Sequence, residues 1–300
     1  MRDGHPPDAG AAESSAAGPG AGPAANFAAR TLRLDLEFDG ACFAGWQRQA
    51  GARTVQEEVE RALLRLTGAQ TAVVGAGRTD AGVHARGMVA SVRTTSRLAP
   101  AVIERALDAL LPDDIGVIGV EDAAPGFHAL RDARWKWYRY AILPSRRRRV
   151  HERHVAWRVV TPLDLGTLAA ALDVVAGRHD FRRFQKTGSP RASTIRTIHA
   201  TALAVERGLV LLDFSGDGFL YGMVRLLVGT LVDASRRPDA EGARSRMRAL
   251  LSGSGEPVRV GASAPAHGLT LVRVGYSHDV PPPFVGGGPR ADLESDANAT

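Results

Sequence analysis

The sequence predicts an α+β fold of two ferredoxin-like βαββαβ halves with their sheets side by side, and three observations carry this reading. Residues 31–38, TLRLDLEF, alternate Leu32, Leu34, Leu36 and Phe38 with polar partners, which is the two-residue period of a half-buried strand. From there to Glu121 the pattern runs strand, helix, strand, strand, helix, strand. A second series opening at RWKWYRYAIL, residues 134–143, repeats that order, although no residue-level repeat accompanies it.

Each element follows from a local signal. After the loop DGACFAGWQRQAGAR, Thr54 and Glu57 have the spacing of a capping box, and Val55, Val59, Ala62, Leu63 and Leu66 share one side of the helix they open. TAVVGA (71–76) and GMVASVR (87–93) are short strands joined by a glycine-rich connection. Pro100 suits the first turn of a helix reaching about Leu111, and IGVIGVE from Ile115 ends the half. In the second half HVAWRVV (154–160) is a short strand. Thr161 is expected to start a helix through Leu165, Leu168, Leu172 and Val175, with Gly177 ending it. TIHATALAVE and LVLLDFS form a hairpin around Arg207 and Gly208. Helices from about Phe219 to Ala234 and from Asp239 to Leu251 precede a closing strand in GLTLVRVGY. The two subdomains are expected at 27–125 and 126–280.

Composition limits the function classes. With 44% hydrophobic and 23% charged residues over 300 positions, the chain can bury a sizeable core. Residues 1–26 contain no Leu, Ile, Val or Phe, and residues 281–300 run from PPPF through GGG into a polar tail, so both ends are expected to be disordered. No signal peptide or membrane span is expected. The lone cysteine, Cys42, can form no internal disulfide; it reads as a small buried hydrophobe in a reducing, cytoplasmic compartment.

The formal charge of +6 is concentrated. Residues 131–158 hold ten Lys or Arg against Asp132 and Glu152, and include the run Arg146 to Arg149. Basic residues such as Arg134, Lys136 and Arg139 interleave with Trp135, Trp137, Tyr138 and Tyr140. That pattern suits a nucleic acid, with phosphates bound by the charges and exposed bases stacked on the rings. The four-arginine run by itself fits a solvated loop equally well. Arg178, Arg182, Arg183, Lys186, Arg191 and Arg196 extend the basic character.

The most informative stretch is GAGRTDAGVHA, Gly75 to Ala85, where Arg78 and Asp80 sit among residues of almost no bulk. Glycines at 75, 77 and 82 let another molecule approach the backbone. A dinucleotide fingerprint fails on the third glycine, a phosphate-binding loop lacks Gly-Lys-Ser/Thr, and an aspartic protease would need a second such carboxylate. In isolation the run could equally be a glycine-rich turn with a surface aspartate.

This stretch resembles the catalytic-loop signature of the tRNA pseudouridine synthase A family, and the resemblance extends along the chain. FDGACFAGWQRQ (38–49), TVQEEVERAL (54–63), LLPDDIGV (110–117), GFHALRDARWKWYRYAI (126–142), GRHDFRRF (177–184), GFLYGMVRLLVGTL (218–231) and APAHGLTLVRVGY (264–276) follow in the family's order. The resemblance implies one continuous, mostly antiparallel sheet with helices packed on one side and an active-site cleft between the halves. It also implies a homodimer, no cofactor and no metal, and isomerisation of uridine to pseudouridine in the anticodon stem-loop of tRNA. It assigns Asp80 as the catalytic carboxylate, Tyr138 as the ring beside the target uracil, and Arg225 as the arginine paired with Asp80. Arg78, two residues before Asp80 in an extended segment, would share its face and could fill the space left by a flipped nucleotide or bind its phosphate. Arg134, Lys136, Arg139 and Arg183 are the further RNA-binding candidates, and His84 is expected to be a hydrogen-bonded structural residue.

Phe38, Cys42, Asp108, Leu110, Leu226 and Thr270 depart from the family pattern, which bears on substrate fit rather than on the catalytic trio. Two other classes fit parts of the pattern. A non-catalytic RNA-binding protein of duplicated ferredoxin-like modules would not need Asp80 buried against Arg225, and a small-molecule enzyme would not need the basic segment.

Overall fold

In the computed structural model, which describes residues 28–188, 193–237, 239–252 and 259–278, the predicted element order of the first half is present. It runs β1 (Arg30–Phe38), α1 (Val55–Thr67), β2 (Val73–Gly75), β3 (His84–Thr94), α2 (Pro100–Leu110) and β4 (Ile115–Asp122). The second half contains β5 (Trp135–Pro144), β6 (Trp157–Val159), α3 (Leu165–Asp173), β7 (Gly177–Asp180), β8 (Ile195–Glu206), β9 (Leu209–Gly216), α4 (Met223–Ala234), α5 (Ala240–Leu251) and β10 (Leu269–Gly275). The expected tails, 1–26 and 281–300, and Arg191 lie outside the described residues.

All ten strands form one sheet with the path β4-β1-β3-β10-β5-β9-β8-β7, to which β2 adds on β3 and β6 on β5. Within it the first half has the order β4-β1-β3-β2 and the second β10-β5-β9-β8, so the same topology occurs twice. The β3–β10 and β5–β6 pairs are parallel, and the other pairings between named strands are antiparallel.

Register shows why one face is apolar throughout. Leu32, Leu34 and Leu36 stand opposite Val92, Ala90 and Met88, and a bulge then brings Phe38 opposite Ala85. Ala85 neighbours Leu271, Leu271 stands opposite Tyr138, and Tyr138 opposite Phe214. All of these side chains are buried, and they continue one core across both halves. The helices α1 to α5 pack on this core through residues such as Val55, Leu63, Ile103, Leu168, Leu227 and Met247.

The seam between the halves is a consequence of strand length. β2 covers only Ala90 to Val92 of one β3 edge, which leaves His84 and Ala85 on that edge for β10. The connection from β2 to β3, with Asp80 in it, therefore lies where the edge passes from one half to the other.

Several local expectations need correction. Thr54 is the α1 cap residue, but its side chain makes no cap bond and its buried hydroxyl has no partner, so the capping box does not form. α3 begins after Asp164 rather than at Thr161, because the Asp164 carboxylate accepts from the Thr167 amide at 2.6 Å. Gly177, at φ +109°, opens β7 instead of ending the helix. α4 starts at Met223, four residues after Phe219, behind a left-handed Gly222. Cys42 is exposed, since it sits in a 3-10 turn, Gly40–Cys42, capped by Asp39 while Phe43 anchors the chain inward. The hairpin turn is as expected, with Arg207 and Gly208 both at positive φ.

The caps give a paired test. Asp239 accepts from the Gly242 amide at 2.6 Å, so Asp239→Ala should cost about 0.5–2 kcal/mol in urea unfolding. Thr54→Val, which removes a buried hydroxyl that bonds nothing, should leave the midpoint unchanged or raise it.

Candidate active site

The glycine-rich loop is held from below by the segment before α1. Trp46 donates its amide to the Thr79 carbonyl at 3.2 Å, and Gly82 donates to the Phe43 carbonyl at 3.3 Å. Gly45 permits this approach: it has φ +95°, and a Cβ there would lie 2.4 Å from the Thr79 oxygen. The loop closes on itself through the Val83 amide to the Asp80 carbonyl, 3.1 Å. From the second half, Ala266 approaches Gly82, and the aliphatic stem of Lys136 lies against Gly77.

Asp80 and Arg225 meet across the seam. Arg225 Nη1 donates to Asp80 Oδ2 at 3.0 Å, and the two side chains are 16% and 18% exposed. The guanidinium is also fixed by its Nε, which donates to the Ala264 carbonyl at 2.8 Å, while the Ala264 amide returns to the Arg225 carbonyl at 3.0 Å. Two hydrogen bonds from different nitrogens fix the guanidinium, which holds the carboxylate in place by a charge-assisted bond.

Tyr138 completes the group. It sits on the apolar face of β5 in an edge-to-face contact with Phe219, ring centroids 5.1 Å apart. Its hydroxyl has no hydrogen-bond partner among the described residues. Burial pushes its phenol pKa up, and the neighbouring Asp80 carboxylate adds to that.

The RNA-binding candidates separate. Arg78 is exposed beside Asp80 and makes no ion pair among the described residues. Lys136 stands on the same face of β5 as Tyr138, against the loop. Arg134, just before β5, is exposed. Arg183 lies in a 3-10 turn, Arg182–Phe184, that packs on α4, and the Lys186 stem covers Gly222 at the α4 start.

Arg139 does not join the cleft. Strand alternation puts it on the opposite face from Tyr138, where its Nε and Nη2 donate to Asp213 at 2.8 and 2.9 Å. Asp213 is 1% exposed, so this fork is committed to a buried carboxylate. Nor do Trp135, Trp137 and Tyr140 offer a stacking surface, because β5 lies in the middle of the sheet and all three are buried.

His84 is structural, as expected. Its Nδ1 accepts from the Gly40 amide at 3.1 Å and its Nε2 donates to the His154 carbonyl at 2.9 Å. The supporting roles of Gly45, Ala264 and Phe219 carry no sequence signal beyond their place in the stretches FAGW, APAH and GFLYG. Among the described residues no group of three or more His, Cys, Asp or Glu is placed to hold a metal ion. No helix among them is long and apolar enough to cross a membrane.

The family model described as tRNA pseudouridine synthase matches residues 36–131 and 171–277. The chain belongs to that family. Asp80 and Arg225 fall inside the matched stretches of the pseudouridine synthase model and Tyr138 between them. A tRNA pseudouridine synthase A of Pelobacter propionicus is 41% identical over 248 residues, covering 82% of this chain and 100% of the relative. One of Moorella thermoacetica is 42% identical over 254 residues, 82% of this chain and 99% of the relative. A chain of a crystallised Cbf5-Nop10-Gar1 complex aligns with TM-score 0.39 and 11% identity over 83% of this chain and 50% of that one, too slight a likeness to bear on the fold.

The buried phenols predict an alkaline limit. Tyr138, Tyr140 and Tyr276 are all raised above 10.0, chiefly by burial, so above that pH the folded chain holds more protons than the unfolded one. Their contribution is intact below pH 10.0 and is lost as pH rises, by about 1.4 kcal/mol per pH unit for each phenol. Urea midpoints measured across that range should fall together with the appearance of tyrosinate absorbance.

Proposed function

We propose that this protein isomerises uridine to pseudouridine in the anticodon stem-loop of tRNA, with Asp80, Arg225 and Tyr138 as the catalytic group. The observation that carries the proposal is the Asp80–Arg225 pair at 3.0 Å in the seam of the sheet. A non-catalytic RNA-binding sheet has no need of a half-buried carboxylate aimed by a guanidinium from the other half. The names of the two relatives supply the substrate class.

The reaction breaks the N1–C1′ bond, turns the base and joins C1′ to C5; the C5 proton leaves and N1 gains one, so the product is an isomer. A carboxylate serves this by adding to the sugar or the base, or by stabilising positive charge that develops at C1′. Arg225 aims Asp80 through a charge-assisted hydrogen bond. The base reaches the carboxylate only after leaving its stack, and the Tyr138 ring can hold the flipped uracil while its neutral hydroxyl is available to bond it. Arg78 takes the space or the phosphate beside the flipped nucleotide, and Lys136, Arg134 and Arg183 bind the backbone around it. Arg139 is left out of this role. A homodimer and a cytoplasmic setting belong to the same reading and rest on the family likeness.

Asp80→Ala and Asp80→Asn should bind unmodified tRNA transcripts within a few-fold of the parent and form no pseudouridine, as mapped by base-specific chemical modification. Conversion by Asp80→Ala would show that another group performs the chemistry.

A further inference from the structure

A cavity of about 470 Å³ lies beside the site, and neither Asp80, Tyr138 nor Arg225 lines it. Its walls carry Arg148, Arg149, Arg153, Arg158, Trp157 and His267. Apart from His267, its lining residues fall between the two stretches matched by the family model.

The charge of this cavity is largely uncompensated. Arg149 pairs with Glu152, the one acid in the wall. Arg153 donates to the Val150 carbonyl and Arg158 to the Arg146 carbonyl, neutral acceptors that leave both cations unbalanced. Arg148 is exposed and makes no bond among the described residues. Trp157 stands perpendicular to the Tyr140 ring, centroids 6.3 Å apart, and remains partly exposed. Such a cavity presents a ring and several guanidiniums together, and its volume is in the range of small-molecule sites, about 300–1,000 Å³. The complementary ligand has an aromatic base and a phosphate.

The cavity also connects to the reacting centre. His267 is in the 3-10 turn Ala266–Gly268, two residues beyond the Ala264–Pro265 step whose Ala264 carbonyl holds Arg225. On the other side, His84 at the end of the Asp80 loop bonds the His154 carbonyl in the cavity's own segment. Extruding one nucleotide unstacks its neighbours, and a base freed in this way would meet the cavity next.

Resting on the tRNA-modifying reading above, we infer that this cavity is a second nucleotide subsite, which takes an unstacked base and phosphate adjacent to the reacting uridine. It would fix the register of the RNA loop while Asp80 acts on the flipped base. The four-arginine run, ambiguous in sequence, is thereby given a use: Arg148 and Arg149 wall the subsite.

The test uses the full chain and anticodon stem-loop RNAs carrying a single abasic nucleotide walked through the loop. For the parent protein, one position next to the target uridine should weaken binding about 5- to 150-fold. In Trp157→Leu the same abasic change should add nothing. Arg148→Glu, at an exposed and unpartnered position, guards against misfolding: it should weaken every RNA and flatten the salt dependence by about one phosphate contact. Uridine monophosphate should compete with RNA for the parent more weakly than the stem-loop itself and less still for Trp157→Leu. No coupling between Trp157 and any loop nucleotide, in a parent that still forms pseudouridine, would overturn the subsite and leave the activity standing. A parent that forms no pseudouridine would overturn the activity itself. Tight uridine monophosphate binding that leaves RNA affinity unchanged would make this a free-nucleotide site, and a changed oligomeric state in Arg148→Glu with unchanged RNA affinity would make it a contact between copies; either result contradicts the inference.

Discussion

The Asp80–Arg225 ion pair lies beside the short β3–β10 pairing that joins the two halves of the sheet. β3 and β10 are registered only at His84–Thr270 and Ala85–Leu271, so few backbone bonds connect the halves there. The pair adds a charge-assisted bond between residues 145 apart in sequence, immediately beside that join. Its two ends are fixed independently, Arg225 by the Ala264 carbonyl and the Asp80 loop by Trp46 and Phe43. On the proposed function, a carboxylate held in this way needs no rearrangement to face the flipped nucleotide, which is the basis of electrostatic preorganisation.

β5 shows how one strand serves both stability and the site. Tyr138 and Lys136 occupy the face that meets the loop, whereas Trp137 and Arg139 occupy the reverse face. There the Arg139 guanidinium forks onto Asp213 and lies 5.4 Å from the Trp137 ring centroid. The strand therefore spends half of its charged and aromatic residues on holding the sheet's centre. Of the other half, Lys136 and Tyr138 lie beside the Asp80 loop, while Tyr140 is buried and donates its hydroxyl to the Pro265 carbonyl.

Where the sequence carried a period, the fold was legible. Leu32 to Phe38, the Pro100 helix and the Arg207–Gly208 hairpin all have signals that act within a few residues. The misplaced boundaries arose where competing caps were available: Asp164 rather than Thr161, and Gly222 rather than Phe219, set where α3 and α4 begin. Asp80, Arg225 and their pairing were legible only through the family resemblance, because nothing local links residues in different halves, and the contact is present at 3.0 Å. Composition misled most in the aromatic strand, since a mixture of Arg, Trp and Tyr looks the same whether its rings are exposed to bases or, as here, buried between neighbouring strands. The same ambiguity hid Cys42, whose exposure depends on a single 3-10 turn.

The most direct measurement of the account is chemical rescue of the arginine. Single-turnover pseudouridine formation should be strongly slowed in Arg225→Ala and partly restored by added guanidinium ion, which can occupy the vacated place between Asp80 and the Ala264 carbonyl, whereas Asp80→Ala should gain nothing from it. An Arg225→Ala protein that reacts as fast as the parent without guanidinium would contradict the claim that this pair makes the site.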